Sequence, residues 1–278
     1  MKEQEVMPVA FQGERGAYSE MAVRTFFPVC EPVPCKHFAD VFQQIRSGLV
    51  RFGAVPVENA LTGSIHENFD LLLQYADIKI VGEVKIRIQH CLIGNPEARI
   101  QDIQRVYSHP QGLLQCEAYL DRYPGWERYP YYDTAGSVAY IMAEGRIEHG
   151  AIASSLAADI YGAQILAREI ETNTHNYTRF FVLALQDAPQ PENPDKASIV
   201  FSTRDKPGAL LEAMQALAQR NVNLQKIESR PIHGKPWTYM FYLDLDLPRQ
   251  KDLLESALDD LAHHSEDLRV LGRYTRAR

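Results

Sequence analysis

One short segment of the sequence combines side chains that could act on a small anion. Asn176, Thr178 and Arg179 stand just before an apolar run, Phe180–Leu183, that predicts a buried strand. The guanidinium of Arg179 could bind a carboxylate through two hydrogen bonds, and the hydroxyl of Thr178 could donate a proton or a hydrogen bond to a leaving oxygen. A strand-edge Thr-Arg pair with a surface salt bridge would explain the same residues, so this segment decides nothing alone.

Four turns elsewhere place small or hydroxyl residues at predicted helix starts. They lie within Gly13–Ser19, Glu58–Ser64, Ser108–Gly112 and Asp133–Ser137. Helix starts attract anions because their backbone N–H groups lack partners and the helix dipole is positive there. Several such starts in one place would form a cage for a small anion, although each hydroxyl could equally serve only as a helix cap.

The sequence lacks the motifs of several common enzyme classes. It contains no G-x-G-x-x-G or G-x-x-x-x-G-K-[ST] loop, no G-x-S-x-G elbow and no H-E-x-x-H helix. Its four cysteines form no Cys-x-x-Cys pair and no His/Cys metal spacing, which predicts free buried thiols. We therefore expect a reaction on a small anion that uses neither a metal nor a cofactor.

The charge pattern argues against nucleic-acid and membrane partners. The 278 residues carry 29 Lys and Arg against 36 Asp and Glu, a net charge of -7, and no long basic run that could neutralise phosphates stands out. No stretch approaches the about 20 apolar residues that a membrane span needs, and Met1–Glu5 lacks a signal-peptide pattern. We predict a cytoplasmic protein.

Up to Asp187 the sequence alternates short apolar runs with amphipathic helical patterns, which predicts an α/β architecture with mainly parallel sheets. The long extended stretch Ile78–Cys91 could cross between two lobes and act as a hinge. A site in such a region lies beyond the carboxyl ends of the strands, in the cleft between the lobes. The predicted strands are Val9–Gln12, Gly53–Val57, Arg105–Tyr107, Tyr129–Tyr132 and Ala151–Ala153, and helices are predicted from Ser19, Ser64, Leu113, Thr134 and Leu156.

A proline-rich segment, Asp187–Lys196, divides the chain, because Pro189, Pro191 and Pro194 remove backbone donors and favour extended conformations. We place a linker at residues 188–196. The following residues, 197–278, have the order strand, helix, strand, strand, helix, strand. This order predicts a ferredoxin-like βαββαβ sandwich.

Taken in order, the motifs of the first region resemble the prephenate dehydratase family. The resemblance implies a catalytic region, residues 6–187, of two α/β lobes like those of periplasmic binding proteins, with hinges near residues 78–91 and 170–180. Ala60 departs from the pattern, since the family usually has Ser there. The matching segments are Gly13–Ser19, Pro56–Asn59 with Gly63 and Ser64, His90–Leu92, Ser108–Gln111 with Gln115 and Cys116, Asp133–Ala135, and Asn176–Phe180.

The resemblance also implies a reaction, the loss of carbon dioxide and the ring hydroxyl from prephenate to give phenylpyruvate for phenylalanine biosynthesis. Thr178 would donate to the leaving hydroxyl. Arg179 would bind the pyruvyl carboxylate, because the other carboxylate disperses its charge as carbon dioxide forms. We interpret His90 and His109 as residues that fix loops. The remaining implied substrate-binding residues are Ser19, Glu58, Asn59, Ser64, Ser108, Gln111, Gln115, Thr134, Asn176 and Phe180.

The C-terminal region has a Gly208–Leu211 turn and a Glu228–Pro231 segment within its predicted βαββαβ order, and with these it resembles an ACT regulatory domain. ACT domains pair side by side and bind amino acids at the shared interface. The resemblance therefore implies control by phenylalanine in a homodimer or a homotetramer built as a dimer of dimers. The residues that match the family's phenylalanine-binding motifs are Gly208, Ala209, Leu210, Leu211, Glu228, Ser229, Arg230 and Pro231.

Two alternatives stay open at this point. An arogenate dehydratase removes the same groups from the amino analogue of prephenate, and the sequence does not distinguish the keto from the amino side chain. A cytoplasmic sensor would join a binding-protein-like cleft to an ACT domain without catalysis. No helical segment like that of a chorismate mutase precedes Val9, so we expect a monofunctional enzyme.

Overall fold

The computed structural model describes residues 6–232, 234, 237–247 and 251–277, with only the backbone of Lys251 and Asp252. Met1–Glu5, where we find no signal pattern, lie outside the described residues. The described chain forms two compact units. The first contains the residues up to Tyr75 together with Val84–Val182, and the second contains Ala76–Glu83 and the residues from Leu183 onward.

The first unit alternates strands and helices, as the sequence predicts. Two of its strands, β5 and β11, continue into the second unit. In chain order the elements are β1 (Met7–Gln12), α1 (Tyr18–Phe26), β2 (Cys30–Cys35), α2 (Phe38–Arg46), β3 (Phe52–Asn59), β4 (Gly63–Ser64), α3 (His66–Gln74), β5 (Ile78–Arg87), β6 (Cys91–Gly94), β7 (Arg105–Ser108), α4 (Pro110–Gln115), α5 (Glu117–Leu120), β8 (Glu127–Pro130), α6 (Thr134–Glu144), β9 (His149–Ala153), α7 (Ser155–Tyr161), β10 (Gln164–Ala167) and β11 (Tyr177–Leu185).

Two sheets divide this unit into two lobes. In the first lobe β1 lies between β2 and β3, parallel to both, and β11 and then β5 follow β3. The second lobe has the strand order β10-β6-β9-β7-β8. The prediction of two α/β lobes is confirmed. The prediction of mainly parallel pairing holds for β7, β8 and β9, whereas β6 and β10, which carry the chain into and out of this lobe, pair antiparallel.

Apolar runs explain why the central strands form the core. Val9, Ala10 and Phe11 of β1 are fully buried, as are Ala54 and Val55 of β3. Parallel strands covered by helices on both faces need such continuous apolar runs. The sequence does not identify β2, because Pro32 and Pro34 obscure its pattern.

The helix predicted from Ser64 begins later. Ser64 lies in β4, opposite Glu58 of β3, and α3 starts at His66 with Ile65 at its N-cap. The turn that we predict from Glu58 is therefore a short hairpin, since β3 runs on through Asn59 before the chain reverses. Ser64 lies one residue before the N-cap of α3.

The second unit has the predicted βαββαβ order. Its sheet follows β13-β14-β12-β15, with antiparallel pairs, and the first part of β5 pairs parallel to β15. Apolar side chains from strands and helices form one core, including Ile199, Phe201, Leu217, Leu243 and Leu261. The elements are β12 (Lys196–Ser202), α8 (Ala209–Ala218), β13 (Leu224–Pro231), β14 (Tyr239–Asp246), α9 (Lys251–His264) and β15 (Glu266–Tyr274).

A buried charge cluster joins β5 to the other strands of the second unit. The Nζ atom of Lys196 lies 2.9 Å from a carboxylate oxygen of Glu83 and 3.3 Å from one of Asp244. Ser198 donates a hydrogen bond of 2.5 Å to Asp244, and all four residues are buried. Buried charges need such partners, so the cluster holds residues 76–83 in this unit. Our predicted catalytic region, 6–187, includes this segment and so differs from the compact units.

Gly272 of β15 lies against the backbone of β5. A Cβ atom there would overlap the carbonyl group of Ile80, with the carbonyl carbon only 2.8 Å away. We expect Gly272→Ala to lower the free energy of unfolding by about 1–3 kcal/mol, because backbone cannot move aside as a side chain can. Gly125→Ala is the control, since no described atom lies within 4 Å of an added Cβ there. Denaturant unfolding measures both, and equal losses in the two variants would contradict the packing argument.

Candidate active site

A cavity of about 250 Å³ lies in the first unit. Its wall includes residues at or just after the carboxyl ends of β1, β3, β5, β7 and β8, where ligands of α/β sheets bind. The polar lining residues are Gln12, Tyr18, Ser19, Asn59, His90, His109, Gln111, Gln115, Asp133, Thr134 and Thr178, and the others are Ala17, Pro56, Ile65, Ile88, Gly112 and Phe180.

Helix starts converge on this cavity, as the sequence predicts. Ser19 lies in the first turn of α1, Thr134 in the first turn of α6 and Gln111 in the first turn of α4. The N-terminal ends of helices carry partial positive charge, so this part of the wall favours an anion. The fourth predicted start comes two residues later than Ser64, at His66, and its N-cap residue Ile65 also lines the cavity.

Neither Ser19 nor Thr134 acts as a helix cap. Ala17 occupies the N-cap position of α1, and Asp133 occupies that of α6, where its Oδ1 accepts a hydrogen bond of 2.8 Å from the N–H of Gly136. Burial raises the pKa of Asp133, although this hydrogen bond acts in the opposite direction. The hydroxyls of Ser19 and Thr134 are therefore not committed to capping.

The backbone conformation and close packing of Gly16 explain why the first turn, Gly13–Ser19, needs glycine at this position. Its φ of +89° lies in the left-handed region, and an added Cβ would lie 2.6 Å from the Cα of Ala157 in α7. Ser154, the N-cap of α7, donates a hydrogen bond of 2.6 Å to the carbonyl oxygen of Gly16. The motif thus packs the start of α1 against α7, and any side chain at position 16 would separate them.

Asn59 connects the end of β3 to the start of β11. Its Oδ1 accepts hydrogen bonds from the backbone N–H groups of Leu61 and Thr62, at 3.0 and 3.1 Å. Its Nδ2 donates to Oδ1 of Asn176 at 2.8 Å and to Oγ1 of Thr178 at 2.9 Å. These bonds place Thr178, the predicted proton donor, in the cavity wall.

Arg179 does not take the position that we predict for it. Its Nη2 lies 2.9 Å from Oε2 of Glu58, and its guanidinium lies 5.2 Å from the ring centre of Phe181. Neither Arg179 nor Glu58 lines the cavity, as far as the described residues define its wall. Successive side chains of a strand point to opposite faces, so Thr178 and Phe180 reach the cavity and Arg179 does not. In this structure Arg179 and Glu58 pair with each other, and their contact with substrate stays a prediction.

Two further predicted residues lie behind the wall. Ser108 is fully buried and donates a hydrogen bond of 2.7 Å to the carbonyl oxygen of Ile152. Its Oγ packs against Gly112, where an added Cβ would lie only 2.6 Å from it. Asn176 is also fully buried and bonds to Asn59. Both support lining residues and do not line the cavity themselves. Of the predicted set, those that line it are Ser19, Asn59, Gln111, Gln115, Thr134, Thr178 and Phe180.

A chain of hydrogen bonds that the sequence does not predict runs along the wall. Oη of Tyr18 lies 2.9 Å from Nδ1 of His90, and Nε2 of His90 lies 2.8 Å from Oε1 of Gln115. Burial lowers the pKa of His90 and raises that of Tyr18. Their motifs are visible in the sequence, but only the fold shows that the side chains bond to one another.

The lobes are connected by two segments beside the cavity, residues 88–90 and 168–176. The N–H of Ile88 donates to the carbonyl oxygen of Asn176 at 2.8 Å, and the N–H of Ile170 donates to that of His90 at 3.1 Å. These segments fall at the predicted hinges near residues 78–91 and 170–180. Hinge motion itself stays a prediction.

The predicted phenylalanine-binding residues lie on two elements of the second unit. Gly208 is the N-cap of α8 with a φ of +82°, Ala209 is buried, Leu210 packs on the core and Leu211 is exposed. On β13 the burial alternates along the strand. Glu228 and Arg230 are half-buried, and Ser229 and Pro231 are exposed. Their role in phenylalanine binding stays a prediction.

Three of the four cysteines are buried, Cys30 is half-buried, and all four are free thiols. No group of three or more His, Cys, Asp and Glu side chains in the described ranges is arranged to hold a metal ion. The expectation that no metal or cofactor takes part stays a prediction. No helix of the described chain is long and apolar enough to cross a membrane.

Comparison with known proteins identifies the family. The family model of prephenate dehydratase matches residues 9–188, well over half of the chain, and that of the ACT domain matches residues 197–263. The chain belongs to the prephenate dehydratase family. The predicted family resemblance is therefore confirmed, and the chain is a dehydratase with a C-terminal ACT domain.

The sequences and structures of known relatives align with nearly the whole length of this chain. "Arogenate dehydratase/prephenate dehydratase 2, chloroplastic" from Arabidopsis thaliana is 42% identical, over 96% of this chain and 72% of the relative. The prephenate dehydratase of Arthrobacter aurescens, solved in complex with L-Phe, is 28% identical with a TM-score of 0.89, covering 98% of this chain and 90% of that one. GqqA, described as a novel type of quorum quenching acylase, is 33% identical with a TM-score of 0.89, covering 97% and 98%.

The lowered pKa of His90 predicts a pH-dependent stability. Below about pH 6.5 the unfolded chain takes up a proton on this side chain more readily than the folded dehydratase does, so the folded state loses stability as pH falls. One such proton contributes at most about 1.4 kcal/mol per pH unit. We expect His90→Gln to weaken the fall in unfolding free energy between pH 7.5 and 5.5.

Urea unfolding at both pH values measures this difference. His175→Gln is the matched control, because His175 is exposed. A pH dependence that is the same in the wild type and in His90→Gln would contradict the assignment.

Proposed function

We propose that this protein converts prephenate to phenylpyruvate, releasing carbon dioxide and water, and that this step serves phenylalanine biosynthesis. The observation that carries the proposal is the position of Thr178, which lines the same cavity as the first turns of α1 and α6. A hydroxyl donor and an anion-binding wall thus meet in one cavity of a chain from the dehydratase family.

The reaction needs help mainly at the leaving group. The C–C bond to the ring carboxylate breaks and its electron pair enters the ring, while the C–O bond at the opposite carbon breaks and the oxygen departs as water after it gains a proton. Aromatic stabilisation supplies the driving force. Thr178 donates a proton or hydrogen bond to the departing oxygen, and such general-acid assistance contributes about 10²–10⁴-fold.

The cavity suits a cyclic dicarboxylate. Its polar groups include the starts of α1 and α6 and the amides of Gln111 and Gln115, which can donate to carboxylate oxygens. Its apolar side contains Pro56, Ile88 and Phe180, which can pack against the ring. No Lys or Arg from the described part of the chain lines it, so helix ends, amides and the imidazoles of His90 and His109 are the groups that can meet the negative charge.

Thr178 is not arranged as the nucleophile of an acylase, the activity named for GqqA. An acyl-transfer nucleophile needs a base that removes its proton. The hydroxyl of Thr178 bonds instead to the amide nitrogen of Asn59, which cannot accept a proton. Arogenate stays the alternative substrate, because the same cavity features serve the keto side chain of prephenate and the amino side chain of arogenate. Parallel assays with the two substrates decide between them.

We further propose that phenylalanine binds the C-terminal ACT domain and regulates the enzyme as a homodimer or a dimer of dimers. β13, which carries Glu228–Pro231, stands at the end of the strand order, and an edge strand can pair with another copy of the chain. A cytoplasmic location is part of the same proposal. The alternative is the chloroplast, which the name of the Arabidopsis thaliana relative gives as its location.

Thr178→Ala tests the catalytic assignment. We expect turnover of prephenate to fall at least about tenfold with little change in KM, because the lost donor acts on the transition state more than on the bound substrate. Thr178→Ser keeps the hydroxyl and should retain most of the turnover. Steady-state assays of phenylpyruvate formation measure both, and an unchanged turnover in Thr178→Ala would remove this residue from the mechanism.

Phenylalanine at saturation should change the rate or the assembly state, since a ligand shifts an equilibrium by its different affinity for two states. Initial rates and light scattering after size-exclusion chromatography, with and without L-phenylalanine, measure the two effects. L-alanine at the same concentration is the control. If phenylalanine changes neither rate nor assembly, the regulatory proposal is wrong.

A further inference from the structure

We propose that Asn59 is a positioning residue that sets the direction of the Thr178 hydroxyl bond, and that it acts on the reaction through Thr178 and not by binding substrate. The inference rests on the proposed function, in which Thr178 is the donor to the leaving oxygen. It replaces the expectation that Asn59 is one of the residues that hold prephenate.

The orientation of the Asn59 carboxamide is fixed by its surroundings. Its Oδ1 lies 3.0 and 3.1 Å from the backbone nitrogens of Leu61 and Thr62. Backbone N–H groups only donate, so the atom that faces them must be the oxygen. The other end of the carboxamide is therefore the NH₂ group, and the usual uncertainty between the two ends of an Asn side chain does not arise here.

This orientation determines the polarity of the bond to Thr178. The Nδ2 of Asn59 lies 2.9 Å from Oγ1 of Thr178 and can only donate, so the hydroxyl oxygen accepts. A hydroxyl has one proton, and this proton is not used in the bond. Because Thr178 lines the cavity, its O–H bond can point at a ligand there.

The same NH₂ group holds the start of β11 in place. It lies 2.8 Å from Oδ1 of Asn176 and 3.2 Å from the carbonyl oxygen of Tyr177, while the N–H of Ala60 donates to that same carbonyl oxygen at 2.8 Å. Asn176 is fully buried and Asn59 is 8% exposed, so these bonds are largely shielded from water. Asn59 thus fixes both the position of Thr178 and the direction of its proton.

A purely structural link between β3 and β11 would explain the contacts equally well. The test must therefore change the donor and acceptor character of the Asn59 side chain while keeping its shape. Asn59→Asp does this, because Asp and Asn have nearly the same shape. An ionised carboxylate only accepts hydrogen bonds, so Thr178 would donate its proton to the introduced carboxylate. That proton would then no longer be available to the leaving oxygen of the substrate. A protonated carboxyl can donate again, and burial raises the pKa at which this happens.

The experiment measures kcat and KM for prephenate between pH 6 and 8.5. At pH 8.5 we expect Asn59→Asp to lower kcat about 100-fold, within the range of general-acid effects, with a smaller change in KM. The ratio of its kcat to that of the wild type should rise at least about fivefold as pH falls to 6, because the carboxyl regains its proton. Asn59→Ala should lose kcat without such a rise.

A double-mutant cycle tests whether Asn59 acts through Thr178. In a Thr178→Ala background, Asn59→Asp should lower kcat by less than about twofold, because the group it controls is already gone. Asn59→Ala in the same background gives the same test if the Asp variant does not fold. Asn193→Asp makes the same chemical change at an exposed position outside the first unit and should keep the kcat of the wild type.

The outcomes separate this inference from the proposed function. If Thr178→Ala keeps its turnover, the proposed role of Thr178 fails, and the inference fails with it. If Thr178→Ala loses turnover but the losses of the two positions multiply, or the Asn59→Asp ratio does not change with pH, only the positioning role of Asn59 is overturned.

Discussion

The bonds from the NH₂ group of Asn59 to the first residues of β11 are the interaction on which the candidate site depends. They connect the turn after β3 to Asn176 and Thr178, which are 117 and 119 residues away in sequence. Both partners are buried, so water competes little for these bonds. Without them, β11 would still pair with its neighbouring strands, but its first residues would lack a fixed position at the cavity.

The alternation of side chains along β11 then assigns separate tasks to neighbouring residues. Thr178 and Phe180 face the cavity, whereas Arg179 pairs with Glu58 and lies over the ring of Phe181 on the other face. A short sequence motif can therefore place one residue at the cavity and its neighbour on the opposite face of the strand. Proximity in sequence is a poor guide to which residues share a site.

Hydrophobic periodicity and turn composition are local signals, and they predict the α/β region and the βαββαβ domain. The seven predicted residues that line the cavity follow from the family resemblance. The sequence does not show which face of β11 reaches the cavity, or that Ser64 lies in a hairpin with Glu58, because both depend on strand pairing. It also gives no indication that Glu83 joins the charge cluster of Lys196, a contact across 113 residues. Contacts of this kind are set by packing, which no local pattern records.

The absence of Lys and Arg among the described lining residues fits the chemistry of a substrate that loses a carboxylate. A full positive charge beside the departing group would stabilise the ground state more than the transition state, because carbon dioxide carries no charge. A helix N-terminus supplies only about half an elementary charge, together with N–H groups that still hold a carboxylate in place. In the proposed reaction, partial charges from α1 and α6 would bind the dianion while leaving the carboxylate free to give up its charge to the ring.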